Sequence, residues 1–103
     1  MCTWDELKRR RNLVDHGIDF ADLDNFFGGD LLTREDAREA YGELRYQSIG
    51  MCNGVALFVV WTPRGEQGDR AHLISARKAE NHEKISWARH YRKQRRKQRR
   101  KQR

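Results

Sequence analysis

Glu43-Leu44-Arg45-Tyr46-Gln47-Ser48-Ile49-Gly50-Met51-Cys52-Asn53-Gly54-Val55-Ala56-Leu57-Phe58-Val59-Val60-Trp61-Thr62 decides how the chain folds. From Glu43 to Met51 the period is two. Leu44, Tyr46 and Ser48 fall on one face of a strand, and Arg45, Gln47 and Ile49 on the other. Asn53-Gly54 is a strong hairpin signal, because both residues accept the positive φ of a two-residue turn. Val55 to Thr62 is an almost unbroken β-branched and aromatic run, which predicts a central strand covered on both faces. Pro63 ends it and Arg64 to Asp69 reads as a loop. Arg70 to Arg77 returns as a further strand, alternating through His72 and Ile74.

Toward the amino terminus the period becomes helical. Thr3-Trp4-Asp5-Glu6 reads as a capping box, with Thr3 as the cap and Glu6 reaching back. Trp4, Leu7, Arg11 and Val14 follow at helical spacing, and Gly17 after His16 supplies a left-handed stop. Asp19 opens a second, shorter helix with Phe20, Leu23, Phe26 and Phe27 as its apolar stripe, stopped by Gly28-Gly29. Asp30 to Glu39 is acidic. Leu31 and Leu32 can start a short edge strand there, and the rest reads as an exposed turn. Beyond the strands, Ala79 begins a last helix with Ile85, Trp87, Ala88 and Tyr91 on its apolar face. The fold class is α+β: two N-terminal helices, a small antiparallel β-sheet and a C-terminal helix.

At 103 residues the chain has room for one domain. Its net charge of +7 is unevenly placed. Residues 89–103 hold ten Lys or Arg and no acid, so residues 1–88 carry 12 basic and 15 acidic side chains, a net −3. The division is a folded domain over 1–91 and a basic tail over 92–103, a repeat of Lys-Gln-Arg-Arg. Like charges at i and i+4 oppose a helix in it, so a disordered or fraying extension is expected. The tail can hold any polyanion by counterion release. No apolar run approaches the ~20 residues of a membrane helix, and the start has no signal-peptide pattern. Cys2 and Cys52 form no metal or disulfide signature, which fits reduced thiols in a cytoplasm.

No nucleotide loop, serine triad or zinc spacing is present. What the domain offers is arginine on strands. Glu43 and Arg45 share a sheet face about 7 Å apart by strand rise. One reading pairs Arg45 with Glu43 or another acid. The other is a concave face where Arg45, Arg77 and His72 meet a phosphate, guanidinium being suited to bidentate contact. Lys8, one turn after Trp4, reads as a snorkelling stem. His16 reads as a C-terminal helix residue favoured by the dipole. The three tryptophans and four phenylalanines read as core, not as a base-stacking platform.

Together, Trp4-Asp5-Glu6-x-Lys8, Asn12, His16-Gly17-Ile18-Asp19-Phe20, Glu43-x-Arg45, Ile49-Gly50 and Leu73-Ile74-Ser75-Ala76-Arg77-Lys78-Ala79 with Glu83 resemble the BrnT family of ribonuclease toxins, over about Trp4 to Tyr91. The resemblance implies a fold like that of RelE toxins and small microbial ribonucleases. It implies RNA cleavage without a metal or other cofactor, in which the 2′-hydroxyl attacks the adjacent phosphate. It makes Arg45 and Arg77 phosphate ligands, Glu43 a general base and Lys8 a supporting cation. His72, where the family often has arginine, becomes an acid or base. Lys78, Arg92, Lys93, Arg95 and Arg96 are expected to bind RNA. A BrnA-like antitoxin, the ribosome and a toxin homodimer within the toxin–antitoxin complex are the expected partners. The competing reading is a non-catalytic RNA- or partner-binding module whose basic tail does the binding. Direct DNA binding is disfavoured, since no helix-turn-helix with a basic recognition helix is visible.

Overall fold

The Asn53-Gly54 turn forms as its residues require. Asn53 has φ 51° and Gly54 φ 82°, the two positive values of a twisted hairpin turn. It joins β3 (Tyr46–Cys52) to β4 (Val55–Arg64). β4 runs through Pro63, which sits opposite Ala71, so the proline does not end the strand. The computed structural model describes residues 2–36 and 42–101, with side chains as far as residue 98. Its sheet has five strands in the order β1 (Cys2–Trp4), β5 (Arg70–Lys78), β4, β3 and β2 (Leu32–Glu35). β1 lies parallel to β5, and the other pairs are antiparallel. The sheet is therefore mixed, not wholly antiparallel as expected. β2 is the edge strand anticipated at Leu32. The turn expected beyond it falls partly outside the described residues.

Because β1 takes Thr3 and Trp4, the first helix starts later than the capping-box reading placed it. α1 (Glu6–His16) is capped by Asp5, whose carboxylate accepts from the Leu7 and Lys8 N–H groups. Gly17 closes it in the left-handed region at φ 71°. The expected second helix is a 3₁₀ turn at Phe20–Asp22, capped by Asp19, followed by the one-turn α2 (Asp24–Phe27). α3 spans Asn81–Lys101. It takes in most of the basic tail, where a disordered or fraying extension was expected. The residue types there favour helix enough to outweigh the like-charge repulsion.

Two apolar layers cover the sheet. Phe20, Leu23, Phe26, Cys52, Leu57, Val59, Leu73 and Ala76 form the main core between one sheet face and the 3₁₀–α2 segment. Gly50 permits this approach, since a Cβ there would stand 2.5 Å from Leu31 Cδ2 and 3.3 Å from Phe26 Cε1. On the other face, Ile49, Phe58, Val60 and Ala79 pack with Trp87 of α3. This second layer covers one end of that face only.

A bulge settles what the uncovered end presents. Val60 pairs with Ser75, but Trp61 pairs with Leu73, leaving Ile74 as an extra residue in β5. A one-residue slip reverses the facing of everything beyond it. Leu73 and Ala76 thereby both reach the main core, and His72, Ser75 and Arg77 share the opposite face with Thr62, Val60 and Phe58. With strict alternation, His72 and Arg77 would face opposite ways.

Candidate active site

α1 lies along the outer edge of β5 where β1 stops. Asn12, only 6% exposed, replaces the missing strand. Its amide donates to the Ala76 and Ile18 carbonyls at 2.9 Å and accepts from the Ala76 N–H at 3.0 Å. This fixes α1 so that Lys8 and His16 border a groove floored by Ile74 and Ser75. The groove opens into a depression of about 500 Å³ walled by His16, Arg34, Gln47, Ser75, Arg77 and Glu83.

Arg77 stands at the end of this depression. Its Nη1 and Nη2 donate to Glu83 Oε1 and Oε2 at 2.8 and 2.9 Å, and Nη1 also to the Lys78 carbonyl at 3.2 Å. The guanidinium carbon lies 4.1 Å from the centre of the Phe58 ring, a cation–π contact. Five N–H groups are available to an arginine. Nε–H and the second Nη2–H, on one edge of the fork, meet no acceptor among the described residues. Hydrogen bonding to Glu83 raises the Arg77 pKa further, so the cation is permanent. Burial alone would raise the Glu83 carboxyl, but the bonds from Arg77 and from the Glu80 N–H at 2.7 Å hold it below its ordinary value. Glu83 carried no role in the sequence reading beyond its place in the motif. The available signal was Glu80-x-x-Glu83 at a helix start, a capping geometry.

The other expected site residues gather at the far end of the same face. Arg45 Nη2 lies 3.7 Å from Glu43 Oε1, and Arg64 Nη2 lies 3.5 Å from Glu43 Oε2. His72 shares a 2.8 Å hydrogen bond with Thr3 Oγ1 through Nδ1. Burial and then the nearby Arg64 charge, with a smaller push from Lys8, pull the His72 pKa below the ordinary imidazole value against Glu43 and Asp5. His72 is therefore neutral at pH 7. Five residues of strand, about 16 Å by rise, separate it from Arg77. The structure thus groups Glu43, Arg45 and His72 with Arg64, and groups Arg77 with His16 and Glu83. Lys8 lies between. Lys78 pairs with Leu57, which turns it away from Arg77's face. Arg92, Lys93 and Arg96 line a shallow surface on α3 with Ser86 and Arg89. Arg95 lies over Tyr91, which stacks on Trp87.

Fold and face together define a class: a small α+β protein that concentrates arginine, lysine and histidine on one open sheet face, as a protein that handles a polyanion does. The chain belongs to the BrnT family: residues 4–83 match the family described as ribonuclease toxin, BrnT, of type II toxin–antitoxin systems. It is also similar to the crystal structure of the Brucella abortus ribonuclease toxin, BrnT. The two are 34% identical, with a TM-score of 0.59, covering 79% of this chain and 99% of that one. Comparison with curated proteins gives no match. Among the described residues, no helix is long and apolar enough to cross a membrane.

Proposed function

We propose that this chain is an endoribonuclease toxin that slows translation by cutting RNA without a metal, and that a BrnA-like antitoxin encoded with it covers the open sheet face. The observation that carries the reading is the unpartnered Nε/Nη2 edge of Arg77, held over the depression by Glu83 in a chain of the ribonuclease-toxin family. A phosphate matches that edge bidentately. The 2′-hydroxyl forms a bond to phosphorus as its proton passes to a base on the protein, and the P–O5′ bond breaks with the departing O5′ taking a proton from water or from that protonated base. Arg77 stabilises the charge gathered on the phosphate oxygens, and Lys8 adds a second cation.

The depression at Arg77 is the concave part of the face, so the reaction is placed there and His16 becomes the proton acceptor. Glu43 sits between Arg45 and Arg64 at the far end of the face and does not line this depression. In this reading Arg45, Arg64 and neutral His72 hold the strand further along, and the helical basic segment adds RNA or ribosome affinity. Kinship with RelE toxins and small microbial ribonucleases, and a toxin homodimer in the antitoxin complex, belong to the same reading. The non-catalytic alternative is favoured by one observation: the densest positive charge lies on α3, apart from the sheet face.

The test is cleavage of RNA by the purified chain in excess EDTA, with Arg77→Ala and Lys8→Ala variants checked for folding by circular dichroism. Cleavage by the wild type that falls on the order of a hundredfold or more in Arg77→Ala supports the enzyme. Equal cleavage by all three places the activity elsewhere or in a contaminant. RNA binding with no cleavage, on ribosomes or off them, supports the binding module.

A further inference from the structure

Beside the depression lies a second, more enclosed pocket of about 190 Å³. This is room for about six waters by liquid volume, the scale of one planar base and less than a drug-sized ligand needs. Leu32, Ile49 and Phe58 make its floor, and Arg34, Gln47 and Ser86 are among the polar groups of its wall. Phe58 and Glu83 also border the depression at Arg77, so the two spaces adjoin.

The polar groups are fixed in a particular sense. Arg34 and Gln47 are cross-strand partners, and Arg34 Nε donates to Gln47 Oε1 at 2.8 Å. Arginine only donates, so the amide oxygen must face it and the Gln47 NH₂ is left for the pocket. The terminal N–H groups of Arg34 are donors as well. Ser86 on the opposite wall gives its hydroxyl proton to the His82 carbonyl at 3.0 Å, which leaves its oxygen as an acceptor. One wall donates and the other accepts. Guanine sets two adjacent acceptors, O6 and N7, beside two donor groups, N1–H and N2–H₂, whereas cytosine pairs its acceptors N3 and O2 with one donor group and uracil carries a lone N3–H. Adenine would turn its N6 amine against the donor wall.

We infer that this pocket is a guanine subsite, in which Arg34 and Gln47 read O6 and N7 and Ser86 accepts from the opposite edge, fixing where a guanine-containing strand lies relative to Arg77. The inference rests on the ribonuclease reading for its substrate but not for its first test. Titration of the full chain with the 3′-monophosphates of guanosine, adenosine, cytidine and uridine, followed by NMR on the backbone amides of residues 34, 47 and 86, reads the subsite directly in the wild type and in every variant. Guanosine 3′-monophosphate should bind on the order of tenfold tighter than the other three. That ratio should narrow toward one in Gln47→Leu and in Arg34→Met, two variants of different chemistry.

Equal binding of all four nucleotides, or a preference that survives both variants, overturns the inference. On an RNA of defined sequence, cuts should fall at a fixed offset from a guanine in the wild type and lose that bias in the variants. Cuts without guanine bias overturn the subsite and leave the ribonuclease reading standing. Guanosine preference without any cleavage upholds the subsite and removes the ribonuclease reading.

Discussion

Glu83 and Arg77 do not contribute symmetrically. Glu83's side chain is 9% exposed and Arg77's 33%, so removing the carboxylate strands a cation that keeps partial access to water. Glu83→Gln should lower stability by about 2 kcal/mol in urea denaturation, the cost of a charge-assisted pair at a half-buried site. The pH dependence has a definite sign. The Glu83 pKa is depressed in the folded state, so its contribution is complete above the unfolded value near about 4.3 and fades as pH falls through the folded one. Acid unfolding of the wild type should therefore be steeper below pH ~4 than that of Glu83→Gln. The two histidines on the face separate by kinetics. His16→Ala should cut kcat on the order of a hundredfold if it takes the 2′-hydroxyl proton, while His72→Ala should mainly raise KM. The reverse pattern would move the reaction to the Glu43–Arg45 end. The Arg45–Glu43 pair was legible from its two-residue spacing, but the strand expected from Glu43 starts only at Tyr46, so the pair forms in the segment leading into β3 and not on a strand face. The Arg77–Glu83 pair was not legible, because it joins a strand to a helix across a turn. Asp5 displaced Thr3 as cap for a related reason: a three-residue strand had already claimed Thr3.

At the scale of elements, the joint between α1 and β5 depends on Asn12. Its carboxamide satisfies the N–H and C=O of Ala76 that a longer β1 would have paired. Asn12→Leu leaves both buried and unsatisfied, at about 3 kcal/mol. Urea denaturation should show that loss, and Lys8 and His16 should lose their position along the groove. No change in midpoint would mean that the backbone of Ala76 is satisfied otherwise. Asn12 stood out in the sequence as part of a motif, but its role needed the chain to bring residue 76 beside it. β3, the Asn53-Gly54 turn and β4 were legible because local pattern and tertiary burial agree there. β1 carries no such signal: three residues hold too little pattern to announce a strand, still less a parallel one. The bulge at Ile74 is likewise absent from the alternation through His72 and Ile74. Yet it brings His72 and Arg77 to one face, which strict alternation would have set apart, and His16 and Glu83, which border the depression beside Arg77, carried no expected role there.

Over the whole molecule, charge is divided between two bodies. The sheet domain is net negative, and its cations matter only because the face concentrates them. Residues 92–103 carry nine of the chain's 22 Lys and Arg, and the described side chains from Arg92 to Gln98 are exposed. None of them belongs to either apolar cluster, so removing them should leave the core intact. A chain ending at Tyr91 keeps Trp87, whose Nε1–H donates to the Asp30 carbonyl at 2.8 Å, and with it the docking of α3. Its thermal midpoint should stay close to that of the full chain. Its affinity for single-stranded RNA should fall on the order of tenfold or more at 0.1 M salt, because a helix displaying cations along its length releases counterions at each phosphate it neutralises. The slope of log affinity against log salt should flatten by about 0.7 for each phosphate that the shortened chain no longer neutralises. The same chain tells affinity from catalysis. Retained kcat with raised KM assigns the chemistry to the sheet face and the helix to capture, and abolition of all RNA binding assigns the function to the helix.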